Sequence, residues 1–270
     1  MANSLKQRWI TGIILAAVVL ALIIFCPPLF FMFLIAFFSV AGIWEYSNIV
    51  FRRDFLKEKI EGVILALIIP LVFFSGNHQL VIAALVFCIL MTFIIFILTV
   101  RNAEFDIMSV AKVIFGMMYI PFLLSHFVLV RSLEKGEMWV IFILIIAFAG
   151  DTAALYTGKY FGKKKLCPHI SPGKTVEGLI GLMAGSILFC LIYSYFVFPG
   201  ISFLHVIIMA LTGGVIGQLG DLAESAIKRK YGLKDASALL PGHGGLLDRM
   251  DCLLFIAPFI YYYLILVMGK

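Results

Sequence analysis

The stretch QLVIAALVFCILMTFIIFILT, residues 79–99, decides the fold class, because it runs for 21 residues without a charged side chain. A hydrocarbon layer about 30 Å thick is crossed by about 20 helical residues. The whole chain is 63% hydrophobic and 13% charged, about half the charged share of a typical soluble domain. A water-soluble core is therefore excluded, and the sequence predicts an all-α polytopic integral membrane protein.

Apolar runs of similar length recur along the chain between short polar breaks. They predict about nine transmembrane helices with a cytoplasmic N-terminus. The first run follows Lys6 and Arg8, and no small-residue cleavage site separates it from Pro27, so we interpret it as a retained helix rather than a removed signal peptide. The predicted spans are residues 9–26, 29–50, 60–76, 79–99, 108–130, 138–158, 176–198, 201–219 and 250–268.

The distribution of Lys and Arg supports this orientation. With nine spans and a cytoplasmic N-terminus, 18 of the 21 Lys and Arg residues fall on the cytoplasmic side, and only Arg131, Lys135 and Lys270 fall on the other. This asymmetry is the bias that the positive-inside rule describes. Both long polar interruptions, Lys159–Thr175 and Gly220–Asp251, then face the cytoplasm, where soluble nucleotides and metal ions are available.

Nothing in the sequence divides the chain into separable domains, because it contains no fixed-period repeat and no low-complexity linker. Residues 1–270 are predicted to form one membrane domain. Within it, residues 1–100 are interpreted as scaffold helices, 101–150 as middle helices and 151–270 as a catalytic half with two cytoplasmic polar loops.

Three carboxylates carry the predicted metal site. Asp248 and Asp251 are three residues apart at the start of the last span, so helical geometry places both on one face, and Asp221 lies at the end of the preceding span. Ionised carboxylates at membrane depth cost at least about 2.5 kcal/mol each, which implies a partner cation. Because oxygen ligands favour Mg²⁺, all three are predicted to bind it. A second cation in the same cluster remains an alternative.

A purely structural alternative is that these carboxylates only form ion pairs with neighbouring Lys and Arg side chains at helix ends. The same polar run, however, also supplies a hydroxyl, an imidazole and glycines that let a backbone approach a ligand closely. Such groups together suit a polyphosphate. The residues predicted to join the aspartates in catalysis are Lys228, Arg229 and His243, and those predicted to bind the nucleotide are Lys174, Ser225, Lys234, Gly244, Gly245 and Arg249. Lys174 belongs to a predicted turn, Ser171–Thr175, in the other polar interruption.

Two further carboxylates lie inside apolar spans. Asp151 is interpreted either as a ligand-binding residue or as a polar cap at a helix interface. Glu45 stands between Trp44 and Tyr46, a composition typical of a membrane boundary, and no catalytic role is predicted for it. The small-residue pair in the seventh span, Gly181 and Gly185, predicts close helix packing.

The stretch SAIKRKYGLKDASALLPGHGGLLDRMD, residues 225–251, resembles the CDP-diacylglycerol synthases, also called phosphatidate cytidylyltransferases. Two more stretches are similar to this family: DTAALYTGKYFGKKKLCPHISPGKTVEG at residues 151–178 and GQLGDLAES at residues 217–225. The chain departs from the family at Gly173, where lysine is more usual, and at Val176, where tryptophan is. The resemblance implies a Mg²⁺-dependent reaction of phosphatidate with CTP that gives CDP-diacylglycerol and pyrophosphate. It also implies a homodimer in the inner membrane of a bacterium, with the active site on the cytoplasmic side.

Two other functions remain alternatives at this stage. A CTP-dependent polyprenol or lipid kinase would transfer the γ-phosphate and release CDP instead of pyrophosphate. An ion-coupled transporter would account for an intramembrane carboxylate such as Asp151, but it leaves the dense polar run unexplained. Nucleic acid is not expected as a partner, because the Lys and Arg residues lie in short breaks rather than in an extended basic arm.

Overall fold

The computed structural model describes residues 17–51, 55–99, 106–237 and 245–270. Helices dominate, and residues 17–25 are also helical. A π-helical turn, Met118–Phe122, joins α4 to α5, and a two-stranded antiparallel hairpin, β1 and β2, joins α6 to α7. The elements are α1 (Pro28–Val50), α2 (Leu56–Phe74), α3 (His78–Thr99), α4 (Met108–Met117), α5 (His126–Ser132), α6 (Gly136–Phe161), β1 (Lys165–Cys167), β2 (Ser171–Thr175), α7 (Val176–Val197), α8 (Phe203–Lys230) and α9 (Leu247–Leu266).

The protein is an all-α polytopic membrane protein. Within the described ranges, seven helical segments are long and apolar enough to cross a bilayer, with α4 to α5 counted as one segment, Met108–Ser132. Helix α2 falls outside this group because four of its first six residues are charged. The first part of the predicted first span, residues 9–16, lies outside the described residues, so the count of nine and the orientation of the N-terminus stay predictions.

The three bases predicted to lie away from the cytoplasm gather at the start of α6. Lys135 is the residue before this helix, Arg131 forms an ion pair with Glu137 at 2.8 Å, and the Lys270 ammonium lies 5.4 Å from the centre of the Trp139 ring. The hairpin with its lysines follows the other end of α6, whose 26 residues span about 39 Å. These three bases and the hairpin lysines therefore lie at opposite ends of α6.

Close packing of α6 against α7 brings the hairpin to its position. A Cβ added to Gly181 would lie 1.9 Å from Thr157 Oγ1, and one added to Gly185 would lie 2.4 Å from Ala153 Cβ. An added methyl group at either glycine would therefore force the neighbouring side chain or helix to move. The predicted packing role of the two glycines is confirmed, and the contact lies within the chain.

The polar interruptions differ from the prediction in two respects. Helix α8 continues to Lys230, so the predicted end of this span at residue 219 is wrong, and Ser225, Lys228 and Arg229 are helical rather than part of a loop. The helix continues because its polar turns pack against protein, and Lys228 is buried there. The predicted turn Ser171–Thr175 is instead strand β2, which pairs with β1 through Lys165↔Thr175 and Cys167↔Ser171.

Candidate active site

Helices α8 and α9 make a close crossing where two glycines of α8 face α9. A Cβ added to Gly217 would lie 2.7 Å from Ile256 Cδ1, and one added to Gly220 would lie 2.5 Å from the Asp251 carbonyl oxygen. The α8 backbone therefore contacts the α9 backbone directly. Since Asp221 follows Gly220, this crossing brings Asp221 next to the first turns of α9.

Three carboxylates from three helices lie within electrostatic range of one another around this crossing. Asp251 of α9 lies within electrostatic range of Asp221 of α8 and of Asp151 of α6, and Asp151 in turn interacts with Asp221. Lys174, at the end of β2, forms an ion pair with Asp221 Oδ2 and also interacts electrostatically with Asp151 and Asp251. The Ser225 hydroxyl donates a hydrogen bond to Asp221 Oδ1 at 3.3 Å. We call Asp151, Asp221 and Asp251 the carboxylate cluster.

A second, buried network joins the end of α8 to the start of α9. The Lys228 ammonium donates to Glu224 Oε2 at 2.9 Å and to Asp248 Oδ1 at 2.5 Å, and Glu224 is only 1% exposed. Asp248 Oδ2 also accepts the backbone N–H groups of Ala236 at 3.1 Å and Gly245 at 2.8 Å. Removing one partner of a buried charge pair leaves the other charge uncompensated. The network therefore fixes the two helices to each other.

The other predicted basic residues border this end of the molecule. Arg229 donates from Nε to the Ile170 carbonyl oxygen at 3.2 Å and from a terminal nitrogen to the Leu233 carbonyl oxygen at 3.1 Å, so it ties the hairpin to the end of α8. Lys234 lies exposed beyond α8, and Arg249 is exposed in the first turn of α9. Their contact with phosphate stays a prediction.

The structure divides the predicted site into two groups. Lys174 and Ser225 join two of the predicted metal ligands, Asp221 and Asp251, whereas Asp248 belongs to the buried network. His243 and Gly244 lie outside the described residues. Gly245 is described, and it lies close to Glu45, which its position in the sequence did not indicate. A Cβ added to Gly245 would lie 2.9 Å from Glu45 Oε2.

The predicted trio Asp221, Asp248 and Asp251 does not form one ligand set in this structure. The described part of the chain contains no group of three or more His, Cys, Asp or Glu side chains arranged to hold a metal ion. The spacing of Asp248 and Asp251 placed both on one helix face, yet their contacts differ. Asp248 forms a hydrogen bond with Lys228 of α8, and Asp251 interacts electrostatically with Asp221. The metal assignment itself stays a prediction.

The carboxylate cluster supplies the donor type that Mg²⁺ prefers, although among the described residues its three side chains are not arranged as a complete metal-binding set. All of its side-chain donors are oxygens, which is the preference of this ion. When ionised, its three carboxylates carry three negative charges, of which Lys174 compensates one. A divalent cation would balance the remaining two charges. Asp151, whose role the sequence left open, belongs to the cluster by position.

Sequence reasoning assigned no role to two buried carboxylates, Glu45 and Glu224. Glu224 stands four residues before Lys228, a helical ion-pair spacing that was readable in the sequence. Glu45 is 3% exposed and accepts hydrogen bonds from Ser237 Oγ, Leu246 N and Leu247 N. No local signal predicts contacts between residues so distant along the chain; only the placement of a carboxylate in an apolar span hinted at a partner.

Comparisons with known proteins show which family the chain belongs to. A profile described as the cytidylyltransferase family matches residues 6–267. The phosphatidate cytidylyltransferase of Bacillus subtilis is 32% identical over 267 residues, covering 97% of this chain and 98% of that protein. Its namesake in Staphylococcus saprophyticus is 34% identical over 275 residues, covering 94% and 96%. The namesake in Haemophilus influenzae is 30% identical over 289 residues, covering 98% and 100%. The chain therefore belongs to the cytidylyltransferase family.

Proposed function

We propose that this chain catalyses the reaction of phosphatidate with CTP, which gives CDP-diacylglycerol and pyrophosphate for phospholipid biosynthesis. The observation that carries this proposal is the extent of the match, because relatives named phosphatidate cytidylyltransferase align over 94–98% of the chain. The site supports the same reaction, since carboxylates and lysines at the ends of apolar helices suit a polyphosphate beside a lipid. The enzyme is accordingly a nucleotidyltransferase.

The chemistry requires charge neutralisation more than a protein base. A phosphate oxygen of phosphatidate forms a bond to the α-phosphorus of CTP, while the bond from that phosphorus to the oxygen bridging to the β-phosphate breaks. Pyrophosphate leaves with the bonding electron pair. The attacking phosphate is already an anion, so positioning and electrostatic stabilisation carry most of the catalysis. A nucleophilic side chain with its own base is not needed.

The residues divide this work between holding Mg²⁺ and holding phosphates. Asp221 and Asp251 are proposed to hold Mg²⁺ beside Asp151, and the bound ion would neutralise charge on the CTP phosphates and on the departing pyrophosphate. Asp248 stays a predicted third ligand, and its oxygens here accept from Lys228 and two backbone N–H groups. Lys174 lies within the carboxylate cluster and is proposed to contact a phosphate oxygen. The further phosphate contacts are proposed for Ser225, Arg229, Lys234, Gly245 and Arg249.

The site has access to lipid as well as to water. The end of α6 that carries Asp151 exposes the large apolar side chains of Leu155, Tyr156, Tyr160 and Phe161. Such a surface faces acyl chains in a bilayer, so we propose that phosphatidate enters along it from the inner leaflet. CTP then comes from the cytoplasm to the polar end of the same helices. The proposed location is a bacterial inner membrane, and the proposed assembly is a homodimer.

Incubation of the purified protein with phosphatidate, Mg²⁺ and CTP labelled in its cytidine tests this function. The proposal predicts labelled lipid in the organic phase and pyrophosphate in the aqueous phase. A lipid kinase would instead release labelled CDP into water and leave the lipid unlabelled. Asp251→Asn, purified in parallel, serves as the inactive control. Absence of labelled lipid from the wild-type protein would contradict the proposal.

A further inference from the structure

Glu45 is a buried carboxylate whose oxygens all point at the entrance to α9. Its Oε1 accepts from Ser237 Oγ at 2.5 Å and from Leu246 N at 3.0 Å, and its Oε2 accepts from Leu247 N at 2.7 Å. Among the described residues it forms no ion pair with a Lys, Arg or His side chain. A buried carboxylate needs such compensation, and here it comes from backbone and hydroxyl donors.

Two of these donors, the N–H groups of Leu246 and Leu247, are among the free N–H groups at the start of α9. The first N–H groups of a helix have no partner within it, and Leu246, which precedes α9, provides no side-chain cap. Gly245 N donates to Asp248, and the next two N–H groups donate to Glu45. Three consecutive donors are thus satisfied by two carboxylates. The positive end of the helix dipole also favours a negative group at this position.

Small residues on both sides allow this contact. Gly42 lies one turn before Glu45 on the same face of α1, and a Cβ there would lie 3.2 Å from Met250 Cε of α9. Gly245 has no side chain where a Cβ would lie 2.9 Å from Glu45 Oε2. Helix α1 can therefore approach the start of α9 closely enough for a direct hydrogen bond. The contact joins the N-terminal half of the chain to the candidate active site.

We infer that Glu45 is a positioning residue for the proposed reaction, and this inference rests on the proposed function. By satisfying two of the three N–H groups, Glu45 leaves Asp248 Oδ1 available to the Lys228 ammonium. Asp251 lies one turn further along α9, so the orientation of the same first turn determines where its carboxylate meets Asp221. Glu45 itself touches neither substrate nor metal.

Substitution of Glu45 by Gln changes this arrangement with little change in volume. A Gln amide offers one acceptor oxygen to two backbone N–H groups, and its NH₂ group faces donors. The first turn of α9 must then shift to find other acceptors, and a shift of about 1 Å at a reacting group lowers a rate by about 100-fold. Glu45→Asp keeps both acceptors and the charge but withdraws them by about 1.5 Å, the length of one C–C bond.

The test compares the wild-type protein with Glu45→Gln and Glu45→Asp. Glu137→Gln is the matched control. Glu137 is also a carboxylate with a specific partner, Arg131, and it lies in the first turn of α6, at the other end of that helix from the hairpin. For each protein, melting temperature, kcat, KM for CTP and the Mg²⁺ concentration for half-maximal rate are measured in the same detergent. Amide exchange of residues 245–248, without substrate or metal, reports on the first turn of α9 independently of activity.

The inference predicts that Glu45→Gln stays folded and has a kcat lower by about 10- to 100-fold, a raised Mg²⁺ requirement and faster exchange at Leu246 and Leu247. Glu45→Asp should recover part of kcat, and Glu137→Gln should match the wild type in all kinetic constants. A purely stabilising role would lower the melting temperature and leave kcat and the Mg²⁺ requirement of the folded protein unchanged, which would overturn the inference.

Two further outcomes are also decisive. If Glu45→Gln does not fold, Glu45→Asp provides the test. A folded Glu45→Asp protein with wild-type kcat and Mg²⁺ requirement overturns the inference. A folded Glu45→Asp protein with a reduced kcat supports it. If the wild-type protein forms no CDP-lipid, the proposed function fails, and the inference fails with it. An active wild type matched by a folded Glu45→Gln contradicts the inference alone.

Discussion

The contact between Gly220 and α9 makes a quantitative prediction for Gly220→Ala. The added methyl group would lie 2.5 Å from the Asp251 carbonyl oxygen and 3.1 Å from Phe255 Cδ2. A comfortable separation of carbon and oxygen is about 3.3–3.6 Å, so the two helices must separate by about 1 Å. Such overpacking costs about 1–3 kcal/mol. Replacing a helical glycine by alanine returns about 1 kcal/mol, so the net loss of stability is about 0–2 kcal/mol.

Activity should fall far more than stability in this variant. Asp221 and Asp251 lie on opposite sides of the contact, and a displacement of about 1 Å at a catalytic group costs about 100-fold in rate. The assay measures kcat for CDP-lipid formation together with the melting temperature. Gly62→Ala is the control, because a Cβ there meets its nearest neighbours at 3.8 Å, an ordinary contact. A Gly220→Ala protein with kcat within about twofold of wild type would refute the reasoning.

Three more predictions concern single residues of the site. Asp251→Asn should lower turnover by at least about 100-fold without lowering the melting temperature. Asp106→Asn, which alters an exposed ion pair, should leave turnover unchanged. Equal kcat in the two variants would contradict the assignment of Asp251 to the site. Lys228→Met leaves Glu224 and Asp248 without their cation and should destabilise the protein by about 3–5 kcal/mol. The loss is measured from the shift of the denaturation midpoint. An unchanged midpoint would exclude an ion-pair network that stabilises the fold. Arg229→Ala should speed proteolysis of the hairpin near Ile170, and an unchanged cleavage rate would show that Arg229 does not hold it.

The apolar pattern predicted most of the fold, because the bilayer restricts what a helix of this length can do. The predicted spans 29–50, 79–99 and 176–198 agree within about two residues with α1, α3 and α7. The prediction failed at α8, whose polar last turns continue as helix to Lys230. Hydropathy indicates where a segment leaves the hydrocarbon layer. Helix α8 remains helical beyond that point because its last turns pack against other parts of the protein.

The site was predictable in its residues but not in its contacts. Asp221 and Asp251 were recognised as partners from their positions at neighbouring helix ends, and the electrostatic contact between them agrees with that. The sequence also grouped Asp248 with them, because spacing along a helix cannot show that Lys228 already occupies one of its oxygens. Glu45 was assigned no role for a related reason. Its partners stand about 200 residues away, and only the packing of α1 on α9 brings them together.

The stoichiometry of products tests the central claim most directly. With CTP labelled separately in the cytidine and in the γ-phosphate, the account predicts one pyrophosphate for each cytidine-labelled lipid, with no γ-label entering the lipid. Transfer of the γ-label to lipid, with CDP released into water, would contradict the account and would make this family member a lipid kinase.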